Sequence, residues 1–442
     1  MGSRERIKKG FSKLLKEEKL KTIANYFENP GEVVSLLKSY WHSDSRQQKL
    51  FDEFSENTIT NYIMPYGISP NVMINGKNYI VPMVIEESSV VAAASAAAKF
   101  WGERGGFHAE VPDVRKVGQV HFGWKGTMDQ LQQLFPDIKE RLLHDTDAIT
   151  ANMRKRGGGV LDIQLIDYTA QISDYYQLRV EFNTCDSMGA NFINTVLEQF
   201  GHSLHDFFAE HQELPETLRQ CETIMTILSN NTPDCRVKVW VECPVEQLDG
   251  IDEHLSGAEY ALKFKKAVDI AHIDTDRATT HNKGIYNGID AVVIATGNDF
   301  RAVEAAGHTY ASRNGHYESL STVTVTDGVF HFELEVPMAL GTVGGLTSLH
   351  PLAHKSLELL GNPTAPELMM IAATMGLANN FSAVRSLTTK GIQEGHMKMH
   401  LNNILNQLKA TDEEQRQARE YFKDKTVSYA AVEQYLKTIR PS

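Results

Sequence analysis

Short apolar runs broken by turn residues alternate with longer stretches of helical period along this chain. Val72-Met73-Ile74 is followed by Asn75-Gly76 and then by the apolar run Tyr79 to Ile85. That spacing predicts a β-hairpin, because Asn-Gly accepts the positive φ values of a tight turn. Val90 to Phe100 is rich in alanine and predicts a helix, with Ser88 or Ser89 as its N-cap. Glu87 then falls at a strand-to-helix junction, where loops commonly present functional groups. Ahead of the hairpin, Arg4 to Phe27 has helical period, and a second helical stretch begins near Pro30.

The texture changes near residue 113. Val117 to Val120 reads as a strand, and a long helical stretch follows that stops at Gly157-Gly158-Gly159. Two alternating strands, Val160 to Tyr168 and Tyr176 to Phe182, precede Asp186 and a helix over Asn191 to Phe200. Ile193, Val196, Leu197 and Phe200 share one face of that helix. A further helix is expected near Leu218 to Leu228, then strands at Val237 to Val241 and Ala291 to Ala295 and a strand pair within Thr322 to Val336. A glycine-rich turn stands at Gly341 to Thr347, and the tail from about residue 390 is helical and polar. In that tail Thr411 and Glu414 fit a capping box, and Tyr429 to Ile439 is amphipathic. This order predicts a compact α+β lobe, residues 113–233, inserted between two parts of a larger α/β domain, residues 1–112 and 234–389, with residues 390–442 as a helical C-terminal segment.

A chain of 442 residues exceeds one ordinary core, in keeping with more than one lobe. The net charge of −12 argues against nucleic acid as the main partner, since a phosphate backbone needs a basic footprint. A phosphorylated ligand needs only a few local cations and stays open. The four cysteines, Cys185, Cys221, Cys235 and Cys243, form no CxxC pair and no zinc spacing. With no secretory signal, they predict reduced thiols in a cytoplasmic protein. No apolar stretch approaches the ~20 residues that cross a bilayer, so no membrane span is expected, and no metal site.

Four stretches could carry chemistry. Arg277 to Asp299 sets Arg277, His281, Asn282, Lys283, Asn287, Asp290, Asn298 and Asp299 around the apolar run expected as a strand. A lysine held near a carboxylate can polarise a carbonyl and stabilise an oxyanion; a solvated loop with an incidental Lys–Asp pair gives the same pattern. Asp186-Ser187-Met188-Gly189-Ala190-Asn191 stands between a strand and a helix, where a glycine lets phosphate oxygens reach backbone N–H groups. An Asp N-cap with a tight turn is the plainer reading, and without GxGxxG an ordinary Rossmann domain is unsupported. Gly341 to Thr347 suits close approach of a ligand or of another backbone. In Gly395 to His400 two histidines lie four apart, but no third zinc ligand is evident. A mobile C-terminal histidine that delivers a proton is the sharper alternative to an exposed surface histidine.

Together and in this order, the stretches resemble the 3-hydroxy-3-methylglutaryl-CoA (HMG-CoA) reductases, specifically the class II branch. The matching segments are GFSKL at Gly10, EN at Glu56-Asn57, NGKNYIVPMVIEESSVVAAAS from Asn75, and DSMGAN from Asp186. Further on come HNKGIYNGIDAVVIATGND from His281, GTVGGLT from Gly341 and GLANNFSAVRSLTTKGIQEGHMKMH from Gly376. They span nearly the whole chain, and the lack of a membrane region agrees with class II.

The resemblance implies a large α/β HMG-CoA-binding domain, an inserted small α+β (ferredoxin-like) cofactor domain and a helical C-terminal flap that closes over substrate. It implies reduction of the HMG-CoA thioester by two hydrides, through a mevaldehyde-level intermediate, to mevalonate and free CoA. Lys283 would stabilise the oxyanion and Glu87 would hand the carbonyl oxygen a proton. Asp299 would sit between them and tune both, and His396 would protonate the departing CoA thiolate. Ser89, Arg277 and Asn287 would hold the substrate's carboxylate and hydroxyl. Asp186, Met188, Gly189, Ala190 and Asn191 would contact the cofactor, with Val343, Gly344 and Gly345 lining the shared site. Because the family's active site forms between subunits, a homodimer is implied as the smallest competent unit, and a higher oligomer stays open.

The chain departs from the family pattern at Thr58 and Thr60 (ENTIT for ENVIG), at Ser88 for a proline, at Ser187 for an alanine and at Leu346 within the glycine run. Glu87, Lys283, Asp299 and His396 are intact, which favours an active enzyme over a non-catalytic CoA-ester-binding relative or an interaction protein. The residues leave open the reverse, mevalonate-oxidising role. Family members that use NAD carry an acidic residue seven positions before the glycine triplet. Thr150 stands there, with Arg154, Lys155 and Arg156 near, which implies NADPH, with NADH or dual use as the alternative.

Overall fold

The computed structural model describes residues 10–389, 401–423, 425 and 427–440. The chain divides into two compact units at Pro65 and Tyr66. The first holds helices α1 (Lys16–Ala24), α2 (Pro30–Ser39) and α3 (Ser45–Asp52). Lys16 joins α1 to α3 through Asp52 at 2.6 Å and lies over the Trp41 ring, which Lys38 of α2 also covers.

The second unit opens on the expected hairpin, β1 (Tyr66–Ile74) with β2 (Lys77–Val84), turned by Asn75 and Gly76 at φ 50° and 77°. Helix α4 (Ser88–Gly102) follows. Its N-cap is Glu87, and no side chain caps it, so the expected serine cap is corrected: Ser88 and Ser89 already belong to the first turn.

Two four-stranded antiparallel sheets come next. One takes β3 (His108–Val114), β8 (Cys235–Pro244), β9 (Ser321–Thr326) and β10 (Val329–Pro337) in the order β3-β8-β10-β9. The other takes β4 (Lys116–Trp124), β5 (Gly159–Asp167), β6 (Tyr175–Asn183) and β7 (Cys221–Ser229) in the order β5-β6-β4-β7. Helices α5 (Met128–Asp145) and α6 (Asp147–Arg154) connect β4 to β5, and α7 (Ala190–Glu210) connects β6 to β7, which gives a βαββαβ order. Phe122, Trp124, Phe182, Phe200 and Phe208 fill a core of this layer that is separate from the core beneath the first sheet. All of it enters the chain after β3 and leaves before β8, two strands that pair with one another.

Two expected elements are corrected. The helix near 218–228 is the strand β7, because Thr223, Ile224, Thr226 and Ile227 are β-branched and the segment pairs with β4. As an edge strand it leaves Ile224 and Met225 exposed, which blurs the alternation that marks a strand. The strand at 291–295 is the last turn of a helix. Helices α8 (Gly257–Ile273), α9 (Thr275–Ala295), α10 (Phe300–Ala311), α11 (Leu346–Leu349), α12 (Pro351–Leu359) and α13 (Ala365–Thr388) complete this unit as far as residue 389. Ala291, Val292, Val293 and Ala295 are all buried, and a helix buried on every side loses the period that separates it from a buried strand. Helix α9 reaches backbone contact with α13 at Gly288, where a Cβ would collide with the Met375 carbonyl.

Packing anchors the elements that present the site. Trp101 of α4 meets Phe381 of α13 at 5.0 Å between ring centroids and Phe330 of β10 at 6.2 Å. Phe264 of α8 meets Phe330 at 5.4 Å. Burial of each such ring contributes about 1.5–3 kcal/mol, so the helix that begins at Glu87 is held firmly. In the tail, residues 401–407, Asp412–Tyr421 and Tyr429–Ile439 are helical and share a core of Leu405, Ala418, Phe422, Val432 and Leu436. The Thr411–Glu414 capping box forms as expected. Residues 390–400, and with them His396, lie outside the described residues. Among the described residues no helix is long and apolar enough to cross a membrane, and no cluster of His, Cys, Asp and Glu is set to hold a metal ion. Cys221, Cys235 and Cys243 are buried thiols.

Candidate active site

Asp274 starts α9 by accepting the Arg277 N–H at 3.1 Å. From there the helical period places Lys283 and Asn287 one turn apart on one side, while Ile285, Ile289 and Val292 point into the core. Strand β2 packs along α9 and releases the chain at Glu87. The Glu87 Oε2 and the Lys283 Nζ consequently lie 3.3 Å apart. The Ser89 hydroxyl donates to Glu87 Oε1 at 2.5 Å. The side chains keep 42% and 64% of their surface open for Glu87 and Lys283, so a substrate can reach both. An ammonium paired with a carboxyl group in this way can hold a carbonyl oxygen and pass it a proton.

Arg277 and Asn287 are partly buried, and neither side chain makes a hydrogen bond or ion pair among the described residues. Burial depresses the Arg277 guanidinium, with Asp274 opposing it. A guanidinium in that condition suits a carboxylate brought by a ligand. His281 and Asn282, which flank Lys283, are structural instead. His281 Nε2 bonds the Ser321 hydroxyl at 2.7 Å, that hydroxyl donates to Asn380 Oδ1 at 2.8 Å, and Asn282 bonds the Glu318 carbonyl and the Leu320 N–H. Burial pushes the His281 imidazole down to about 3, aided by Arg277 and His272, so it is neutral. Asp290 is largely buried beside Glu304 of α10, and burial with that neighbouring carboxylate raises its carboxyl well above the usual range.

Among the described residues, no hydrogen bond or ion pair within 4.0 Å links Asp299 to Glu87 or Lys283. The Asp299 carboxylate caps α10, accepting from the Arg301 and Ala302 N–H groups at 3.0 and 3.3 Å, and it pairs with the Arg301 guanidinium at 2.8 Å.

The other expected residues gather in a second cluster. Asp186 Oδ1 accepts the Ala365 N–H at 2.8 Å and its carbonyl accepts the Thr342 N–H at 2.8 Å. Gly341 presses so closely on the Ser187–Met188 peptide that a Cβ there would collide with the Met188 nitrogen. The Asn298 side chain clasps Gly341 from both sides, accepting its N–H at 2.8 Å and donating to its carbonyl at 3.0 Å. The turn 186–191, the glycine run and the residue before Asp299 thus form one assembly. Gly189, at φ 92°, is the N-cap of α7, and no side chain caps that helix. Among the described residues no side chain occupies the N–H groups of its first turn, Ala190 and Asn191 among them, and such groups can receive an anion. Val343, Gly344 and Gly345 lie in the loop that leads to α11, with positive φ at both glycines. Thr150 is buried, and its hydroxyl donates to the Thr146 carbonyl of its own helix at 2.9 Å. Arg154 pairs with Asp147 at 2.6 Å.

One contributor, Asn298, stands in the polar stretch with no role assigned, and another, Lys116, carries no sequence signal. Asn298 matters only because of what faces it. Lys116, at the start of β4, is 4% exposed and donates to the Thr184 hydroxyl at 2.5 Å and to the Ser187 carbonyl at 2.9 Å. Depth, which no motif encodes, sets Lys116 apart.

Residues 16–401 match the hydroxymethylglutaryl-coenzyme A reductase family. A 3-hydroxy-3-methylglutaryl-coenzyme A reductase of Archaeoglobus fulgidus is 35% identical over 92% of this chain and 88% of its own length. A probable 3-hydroxy-3-methylglutaryl-coenzyme A reductase of Borreliella burgdorferi is 33% identical over 86% of this chain and 85% of its own. Among solved structures, the class II enzyme of Streptococcus pneumoniae bound to NADPH in open conformations is similar with a TM-score of 0.70 and 36% identity, over 86% of this chain and 99% of that one.

Proposed function

The chain belongs to the hydroxymethylglutaryl-coenzyme A reductase family, and on that premise we propose that the HMG-CoA thioester carbonyl is reduced at the Glu87–Lys283 pair. The protein is an oxidoreductase that converts HMG-CoA to mevalonate and free CoA with NADPH. The observation that carries the site is the 3.3 Å contact between Lys283 and Glu87, two half-open side chains from distant elements.

NADPH, when bound, supplies hydride. The chain offers it the uncapped N-terminus of α7, the Gly189 turn and the pressed Gly341 strip, which fit a dinucleotide diphosphate. Asp186, Met188, Ala190, Asn191, Val343, Gly344 and Gly345 border that surface. Thr150, uncharged and beside Arg154, leaves the ribose end compatible with a phosphate. At the carbonyl, the Lys283 ammonium stabilises the negative charge that develops on oxygen, and Glu87 delivers the proton that quenches it. The Ser89 hydroxyl orients the Glu87 carboxyl group. Arg277 receives the carboxylate of the hydroxymethylglutaryl group and Asn287 its hydroxyl. Asp299 acts once it exchanges Arg301 for the Lys283–Glu87 pair, and His396 of the C-terminal flap protonates the leaving thiolate.

The βαββαβ layer of residues 116–229 is, in this reading, the inserted ferredoxin-like cofactor domain within 113–233, flanked by the large domain at 1–112 and 234–389. The active unit is a cytoplasmic homodimer. Incubation with HMG-CoA and NADPH tests the function: two NADPH oxidised for each free thiol released support it, and no thiol-coupled oxidation refutes it.

A further inference from the structure

We propose that Lys116 is a positioning residue for the dinucleotide: it sets the Thr184–Asn191 turn so that the turn and the start of α7 receive the diphosphate, and it serves as the buried counter-charge. The inference rests on the reading of that turn as the cofactor site. Lys116 follows Arg115, which has Asp113 at 2.6 Å and Glu181 at 3.0 Å, whereas the Lys116 ammonium has no carboxylate within 4.0 Å among the described residues. Its partners are neutral, the Thr184 hydroxyl and the Ser187 carbonyl, and that hydroxyl also donates to the same carbonyl at 2.7 Å. A cation buried to this depth without a counter-ion is costly unless an anion compensates it. Burial accordingly depresses the Lys116 amine, with the more distant Cys235, Cys185 and Asp186 opposing it.

The geometry shows where such an anion binds. The carbonyl of Ser187 turns inward to Lys116, and in a planar trans peptide the Met188 N–H must then turn outward, toward the glycine strip. The uncapped N–H groups of α7 follow directly. A small pocket beside the turn is lined by Lys116, Met188, Ile193 and Thr232; Thr232 is 3% exposed, and its hydroxyl has no hydrogen-bond partner among the described residues. Lys116, an unpartnered hydroxyl and a free helix start therefore converge on one turn.

The test measures NADPH affinity by nicotinamide fluorescence, with KM for HMG-CoA and the unfolding temperature, in the full chain and in Lys116→Met. The expected result is NADPH affinity weakened about tenfold or more, KM for HMG-CoA within about twofold, and an unfolding temperature unchanged or raised, because a buried charge has been removed. NADPH affinity within about twofold of the parent overturns the proposal, as does a parallel loss of both affinities with a lowered unfolding temperature, which marks a merely structural lysine. Asn191→Asp, which adds a negative charge to the exposed first turn of α7, separates the two readings. If it weakens NADPH while Lys116→Met does not, only the role of Lys116 falls. If it leaves NADPH affinity unchanged, the turn is not the cofactor site and both fall.

Discussion

Glu87 and Lys283 are 196 positions apart in the chain, yet their charged atoms meet at 3.3 Å. Both are well exposed, and an open ion pair contributes at most about 1 kcal/mol to stability. The pair is therefore placed for chemistry more than for folding. Lys283→Ala should leave the unfolding midpoint nearly unchanged while lowering kcat by about 100- to 1,000-fold, the usual cost of a lost oxyanion partner. Steady-state kinetics beside a denaturant titration check both halves of that statement.

Much of the scaffold around this pair was legible in the sequence. The Asn75-Gly76 hairpin, the alanine-rich α4 and the alternating β5 and β6 carry strong local signals, and local geometry realises them. Where the environment decides, the local signal failed. The end of α9 is apolar because it is buried on every side, and β7 is an edge strand whose exposed face mixes polar and apolar residues. The same holds in the site. The partnership of Glu87 with Lys283 was anticipated from a family resemblance; Asp299 here caps α10 and pairs with Arg301, a contact no local pattern signals. Lys116 stands out only through what the fold sets against it, and the role of Asn298 only through the Gly341 backbone it clasps.

Among the described residues Arg277 has a partly buried guanidinium without a hydrogen-bond or ion-pair partner, so its contribution should appear in substrate binding. Arg277→Met should raise KM for HMG-CoA about 10- to 100-fold, the worth of one charged hydrogen-bonded contact, with kcat changed only a few fold. Arg277→Lys should recover part of the loss, since an ammonium keeps the charge but not the planar fork. A drop in kcat at unchanged KM would assign Arg277 elsewhere.

His281 makes stability depend on acid. Its folded value, about 3, lies below the ordinary 6.5, so the unfolded chain binds the proton more readily between them. Stability from this group is full above pH 6.5 and is lost as pH falls toward 3, at up to about 1.4 kcal/mol per pH unit. Unfolding midpoints at pH 5 and pH 7 should differ in that sense, and His281→Asn should flatten the difference even if it lowers both values.

Asp290 should act in the opposite direction. Burial beside Glu304 raises its folded carboxyl above the ordinary 3.8, so the folded chain keeps a proton that the unfolded chain releases. Stability from this group is full below that ordinary value and is lost as pH rises toward the raised one. Asp290→Asn, which keeps the shape of the neutral acid, should therefore gain on the order of 1 kcal/mol relative to the parent at pH 8 compared with pH 4. Thermal unfolding at the two pH values reads the difference.

The most direct test of a shared carbonyl is a double-mutant cycle on hydride transfer, followed in single turnovers of enzyme-bound HMG-CoA with Glu87→Gln, Lys283→Ala and the pair together. Two groups acting on one oxygen should be strongly non-additive, so the double variant should be little slower than the slower single one. Fully additive losses, or a parental rate in either single variant, would contradict the account.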